Sequence, residues 1–144
     1  MPQEVNIVDR QMMEVPLAAQ AADEPNRMFI CTGRLQTNWT AYGNPPGVVS
    51  RESFTALIQP NPPLGRRQFH RAVAIASVAQ VQMSDWDASD TDSFYWGIEE
   101  AQADLDDETD QAELRVMVAA SASGQQTYIT IGQVAFQVTI LARV

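Results

Sequence analysis

Turn signals built from proline and glycine divide this chain into short segments. The densest signals are residues 42–47 (YGNPPG) and residues 59–65 (QPNPPLG). Residues 48–58, between them, have room for one strand. The expected core residues of that strand are Phe54, Leu57 and Ile58. Short segments separated by such turns are typical of an all-β protein.

Apolar and polar residues alternate in most segments between the turns, which is the pattern of a half-buried strand. The strands predicted from it cover residues 28–31, 71–83, 94–98, 114–120, 127–131 and 134–141. We expect Gly33 and Gly132 to end two of these strands. A helix over residues 98–114 is the alternative, but the acidic run at 106–110 interrupts its apolar stripe.

The length of 144 residues suits one domain. Seven or eight short strands, spaced about ten residues apart without alternating helices, predict an all-β protein, an antiparallel β-sandwich. We assign the sandwich domain to residues 28–144.

The first 27 residues contain three prolines between short apolar pieces, so they cannot form one long regular element. We predict an extended N-terminal arm over residues 1–27, with a short strand around residues 5–8 that adds to an exposed sheet edge. Either the chain's own body or a neighbouring subunit could supply that edge, and we favour the neighbour. The apolar side chains expected to contact neighbouring subunits are Val5, Ile7, Val8, Met12, Met13 and Leu17. The arm lacks the basic and apolar regions of a secretory signal, so we expect none.

Charge is distributed unevenly along the chain. Eighteen acidic residues and nine arginines give a net charge of −9, which excludes nucleic acid as a partner bound through a basic surface. No apolar run is long enough to span a membrane, so no membrane partner is expected. Twelve acidic residues lie between positions 85 and 113, whereas residues 1–84 carry seven arginines and six acids.

Two interpretations of this asymmetry remain open. One is a solvated acidic face that keeps the protein soluble. The other is a head-to-tail assembly, in which Arg66 and Arg67 of one subunit contact the acidic loops of the next.

Residues that carry chemistry are scarce. The chain has one histidine, His70, and one cysteine, Cys31, so no nucleophile–base pair or zinc motif is recognisable and we expect no catalytic residues. The only cofactor candidate is Ca²⁺, held in a loop by Asp85, Asp87, Asp90 and Asp92. The segment does not match an EF-hand loop, because its sixth position is Asp90 rather than glycine. Asp-rich turns between strands are the ordinary alternative.

Aromatic residues suggest a possible glycan site. Phe94 and Trp96 share one face of a predicted strand, so Tyr95 points the other way. Trp86, within the acidic segment, and Tyr95 are therefore the candidates for stacking on a sugar ring.

The order of features from Gly33 to Ala142 carries a family resemblance. A glycine and a tryptophan are followed by a Phe-bearing strand, a Pro-rich turn, a long Val/Ala strand ending at an aspartate, a Val-rich strand and a closing VTILA strand. This order resembles the H-type lectin-like β-sandwich, which implies an oligomeric sandwich of a kind also found in phage virions. A small acidic β-domain with a long arm is also similar in style to head-decoration or tail proteins of tailed phages.

These observations favour a non-enzymatic, homo-oligomeric structural protein located in a virion. Its arm would bind neighbouring subunits and other structural proteins. The alternative is a carbohydrate-binding module of the H-type lectin-like kind, with a glycan as its ligand.

Overall fold

The computed structural model describes residues 2–19, 21–43, 48–84, 93–124 and 127–144, and every element in them is a strand. The strands are β1 (Gln3–Glu4), β2 (Ile7–Pro16), β3 (Arg27–Tyr42), β4 (Ser50–Leu57), β5 (Phe69–Ser84), β6 (Ser93–Leu105), β7 (Ala112–Ser123) and β8 (Tyr128–Ala142). They form two packed sheets, which confirms the predicted β-sandwich.

Each sheet has four strands. Sheet 1 has the order β1-β4-β7-β6 and sheet 2 the order β2-β3-β8-β5. All neighbours are antiparallel except β1 and β4, which are parallel. The central strands β7 and β8 supply most of the core, because their alternate residues point between the sheets. Trp39 and Phe54 join the two sheets in an edge-to-face contact, with ring centroids 6.4 Å apart.

Two strands continue past the glycines that were predicted to end them. Strand β3 continues through Gly33, and β8 continues through Gly132. A Cβ atom at Gly132 would lie 2.6 Å from Oε1 of Gln80 on the neighbouring strand β5. The glycines permit close approach of neighbouring side chains instead of ending the strands.

The other strand predictions have mixed outcomes. Residues 98–114 belong to β6, a turn and β7, so the alternative helix is wrong. Phe54 and Ile58 are fully buried as predicted, whereas Leu57 is 38% exposed. Leu57 has the opposite parity to Phe54 and Ala56 in β4, so it points to the outer face of sheet 1.

The N-terminal segment pairs with both sheets of its own molecule. Strand β1 lies beside β4, with Gln3 opposite Phe54, and β2 lies beside β3, with Met12 opposite Cys31. Between them, the backbone N–H of Val5 donates to the carbonyl of Thr55 at 3.0 Å. The chain therefore fills the open edges of its own two sheets with this segment.

This pairing corrects the expectation that neighbouring subunits must cover the segment. Val5, Ile7 and Met12 pack against the core of their own chain. Val8 and Leu17 are half-buried, and Met13 is exposed. Of the six apolar residues assigned to subunit contacts, Met13 therefore presents the most open side chain.

Candidate interaction surface

The outer face of sheet 2 carries a patch of large apolar side chains that no described element covers. Met13 is 60% exposed, Val73 55% and Ile75 61%. Val15, Met28, Ile30 and Leu141 have the same outward parity and are half-buried among them. We call these seven residues the apolar face.

The register of sheet 2 brings the apolar face together. Val15, Met28 and Leu141 lie opposite one another in one row across β2, β3 and β8. The next row runs from Met13 across Ile30 and Thr139 to Val73, and Ile75 begins the row after that. Adjacent rows on one face are in side-chain contact range, so the patch is continuous.

The outer face of sheet 1 is chemically different. The strands of sheet 1 contain six acidic residues and two arginines, whereas those of sheet 2 contain two acidic residues and four arginines. Arg51 donates to Glu99 at 2.8 Å across the outer face of sheet 1. The strands of sheet 1 are therefore net acidic, whereas those of sheet 2 are net basic and carry the apolar face.

The size of the sheet 2 face suits a protein interface. The whole outer face of sheet 2, polar residues included, has an area of at most about 900 Å², since four strands lie about 4.8 Å apart and the 15 residues of β8 rise about 3.4 Å each. A standard interface buries about 800 Å² on each partner, with an apolar centre and a polar rim. Exposed apolar patches of several hundred Å² on a soluble protein usually mark interaction sites.

The sequence contained a partial signal for this surface. Residues 71–83 are apolar on both faces in their first half, which is the half that carries Val73 and Ile75. Met28 and Ile30 alternate with Phe29 and Cys31, so this part of β3 is also apolar on both faces. The sequence alone does not show that these outward residues lie in adjacent rows.

Arg66 forms ion pairs within its own chain. Its guanidinium lies 2.5 Å from Asp110 Oδ1 and 3.6 Å from Asp107 Oδ1, in the turn between β6 and β7. The acidic turn that was expected to attract another molecule therefore binds an arginine of its own chain. Arg67 is exposed beside it.

The other predicted site residues are placed as follows. Tyr95 is 51% exposed on the outer face of sheet 1, and its neighbour Trp96 is 41% exposed. Trp86 and the calcium candidates Asp85, Asp87, Asp90 and Asp92 lie outside the described residues. Among the described residues, no three His, Cys, Asp or Glu side chains are grouped to hold a metal ion.

The acidic end of sheet 1 perturbs one carboxyl group. Glu113 lies opposite Asp104 of β6 and Leu57 of β4. Partial burial raises the pKa of Glu113, and the nearby Asp106 carboxylate raises it further, while Arg115 opposes the shift. Glu113 and Asp106 line the same open pocket at this end of sheet 1.

Comparisons with known proteins add no assignment. No protein-family model matches the chain, and neither curated proteins nor solved structures give a match. The described part of the chain has no helix long and apolar enough to cross a membrane.

Proposed function

We propose that this protein is a non-enzymatic structural protein that assembles with copies of itself through the apolar face of sheet 2. The exposed side chains of Met13, Val73 and Ile75 carry the proposal, because a second copy would remove them from water. Such a self-assembling subunit suits the virion component favoured by the sequence.

A second copy is the occupant that the charges favour. The molecule has a net charge of −9, so two copies repel each other wherever their acidic surfaces meet. Packing sheet 2 of one copy against sheet 2 of another places both acidic sheets on the outside. A head-to-tail contact would instead bury Arg115 and Glu113 of one copy against apolar side chains of the next, which costs desolvation energy.

Molar mass in solution tests the proposal. We expect a dimer or larger oligomer that persists in high salt, because an apolar contact is not screened. Ile75→Glu places a charge in the centre of the face and should give a folded monomer. Leu57→Glu is the matched control, since Leu57 is an exposed apolar residue on the outer face of the opposite sheet.

Two results would overturn the proposal. The first is a wild-type protein that stays monomeric at high micromolar concentration. The second is an oligomer that Ile75→Glu leaves intact while Leu57→Glu dissociates it, which would assign the contact to sheet 1.

A further inference from the structure

A β-bulge in β2 changes which side chains of that strand point inward. The pairing of β2 with β3 shifts between Val8 and Gln11, and Asp9 has a φ of 53° there. Ile7 and Met12 both pack against the core although five positions separate them, which regular alternation does not allow. Arg10 consequently shares the inward side with Met12 and Glu14.

The redirected side chains line a cavity at the edge of the sandwich. It is bounded by Arg10, Met12 and Glu14 of β2, by Phe29 of β3, and by residues 59–61 that follow β4. Its volume of about 480 Å³ lies within the range of small-molecule sites. The wall is mixed, with Phe29 and Met12 as apolar surfaces and a guanidinium at one side.

Arg10 brings a positive charge to this cavity. Its Nη2 donates to the backbone carbonyl of Gln59 at 2.5 Å, and its guanidinium also interacts with the buried Cys31 thiol. No carboxylate of the described residues forms an ion pair with it. Glu14 lines the same cavity, but its carboxylate pairs with Arg27, whose Nε lies 3.1 Å from Oε1 of Glu14.

We propose that this cavity binds a small organic carboxylate that also carries a short apolar group. The carboxylate pairs with the Arg10 guanidinium, the arrangement for which arginine is best suited. The apolar group packs on the wall formed by Phe29 and Met12. The cavity lies on the inward side of β2, so this site is independent of assembly through the apolar face.

N-acetyl-leucine is a suitable probe, because it combines a carboxylate with an apolar side chain. Titration followed by ¹H–¹⁵N NMR should give saturable shifts at the amides of Arg10, Phe29 and Asn61. N-acetyl-leucinamide lacks the charge and should give no saturable shift. Arg10→Gln should weaken binding by about tenfold or more, as expected for a lost charge-assisted hydrogen bond.

Arg67→Gln is the matched control, because it removes an exposed arginine outside the cavity and should bind the probe like the wild type. Arg10→Lys keeps the charge and should bind better than Arg10→Gln. A pH titration of the wild type provides a test without variants, since binding should fall once the probe's carboxylate is protonated. Equal binding of acid and amide, or unchanged binding by Arg10→Gln, would overturn the proposal.

Discussion

Ile7 packs directly over Gly33: a Cβ atom on Gly33 would lie 2.9 Å from Cγ2 of Ile7. It would also lie 3.1 Å from Cζ of Phe136 in the next strand. The absence of a side chain at Gly33 thus leaves room for Ile7 of the N-terminal strand β2 and Phe136 of the core strand β8. We expect Gly33→Val to destabilise the protein by about 1–3 kcal/mol, the usual cost of overpacking a core.

Urea unfolding of Gly33→Val against the wild type measures this cost. Gly97→Ala is the control, because a Cβ atom there meets only the Tyr95 hydroxyl, at 3.7 Å, among the atoms around it. We expect Gly97→Ala to change stability by no more than about 0.5 kcal/mol. An equal effect of the two substitutions would show that β2 does not pack over Gly33.

Removal of residues 2–16 should unfold or aggregate the protein instead of leaving an intact sandwich. These residues supply an edge strand to each sheet, and Ile7 and Met12 cover part of the core. Their loss would open the edges of β4 and β3, and open edges invite aggregation. Thermal unfolding and light scattering of the truncated chain check this. A truncated chain that melts cooperatively at the wild-type temperature would contradict it.

A single substitution gives a milder version of the same test. Ile7→Ala should cost about 1–2 kcal/mol, since the side chain is half-buried and only part of its apolar surface is lost from the core. Gln11→Ala, on the same strand but exposed, should be close to neutral.

The sequence predicted the sandwich because alternation is a local property of each strand. The central strands show this best: the buried Val116 and Val118 of β7 and the buried Val134 and Phe136 of β8 follow the predicted inward faces. The ends of strands were less predictable. Gly33 and Gly132 act as breakers in isolation, but long-range contacts with Ile7, Phe136 and Gln80 keep them within strands.

The apolar face and the cavity depend on strand pairing and register, which no local sequence pattern shows. Whether residues 3–16 pair within the chain or with a neighbour depends on which sheet edges are open. The inward turn of Arg10 depends on the positive φ of Asp9, a residue type that tolerates this backbone but does not require it. The apolar face likewise depends on the register that aligns β2, β3, β8 and β5.

Glu113 should make the free energy of unfolding depend on pH in the acidic range. Its pKa is raised in the folded state by partial burial and by the Asp106 carboxylate. The folded state therefore holds this proton more tightly than the unfolded state, so the resulting stabilisation is present at low pH and is lost as pH rises through the folded pKa. We expect Glu113→Gln to be more stable than the wild type at neutral pH.

Chemical unfolding at neutral and acidic pH measures the effect of Glu113. The advantage of Glu113→Gln should disappear once the pH falls below the pKa of the carboxyl group. Glu108→Gln is the control for net charge alone, because Glu108 is an exposed residue of the nearby acidic turn. If both variants gain the same stability at every pH, the raised pKa of Glu113 is not the cause of the gain.

The rate at which the Cys31 thiol reacts should measure how often the core opens. The side chain is fully buried, and burial raises the pKa of its thiol, while the charge of Arg10 and a hydrogen bond from it oppose that shift. The thiolate is the reactive species, so the native protein should react with a thiol reagent far more slowly than the unfolded protein. Rapid labelling of the native protein would show instead that β3 is accessible.

The same thiol should make the protein less stable in alkaline solution. The unfolded thiol ionises near its ordinary pKa of about 8.5, whereas the folded one still holds its proton, so stability falls as pH rises through that value. Urea unfolding between neutral and alkaline pH should show a steeper loss for the wild type than for Cys31→Ala. Arg10→Gln should steepen the loss further, because removing the guanidinium leaves burial of the thiol unopposed. If the free energy of unfolding falls equally steeply with pH in the three proteins, ionisation of Cys31 does not cause the alkaline loss of stability.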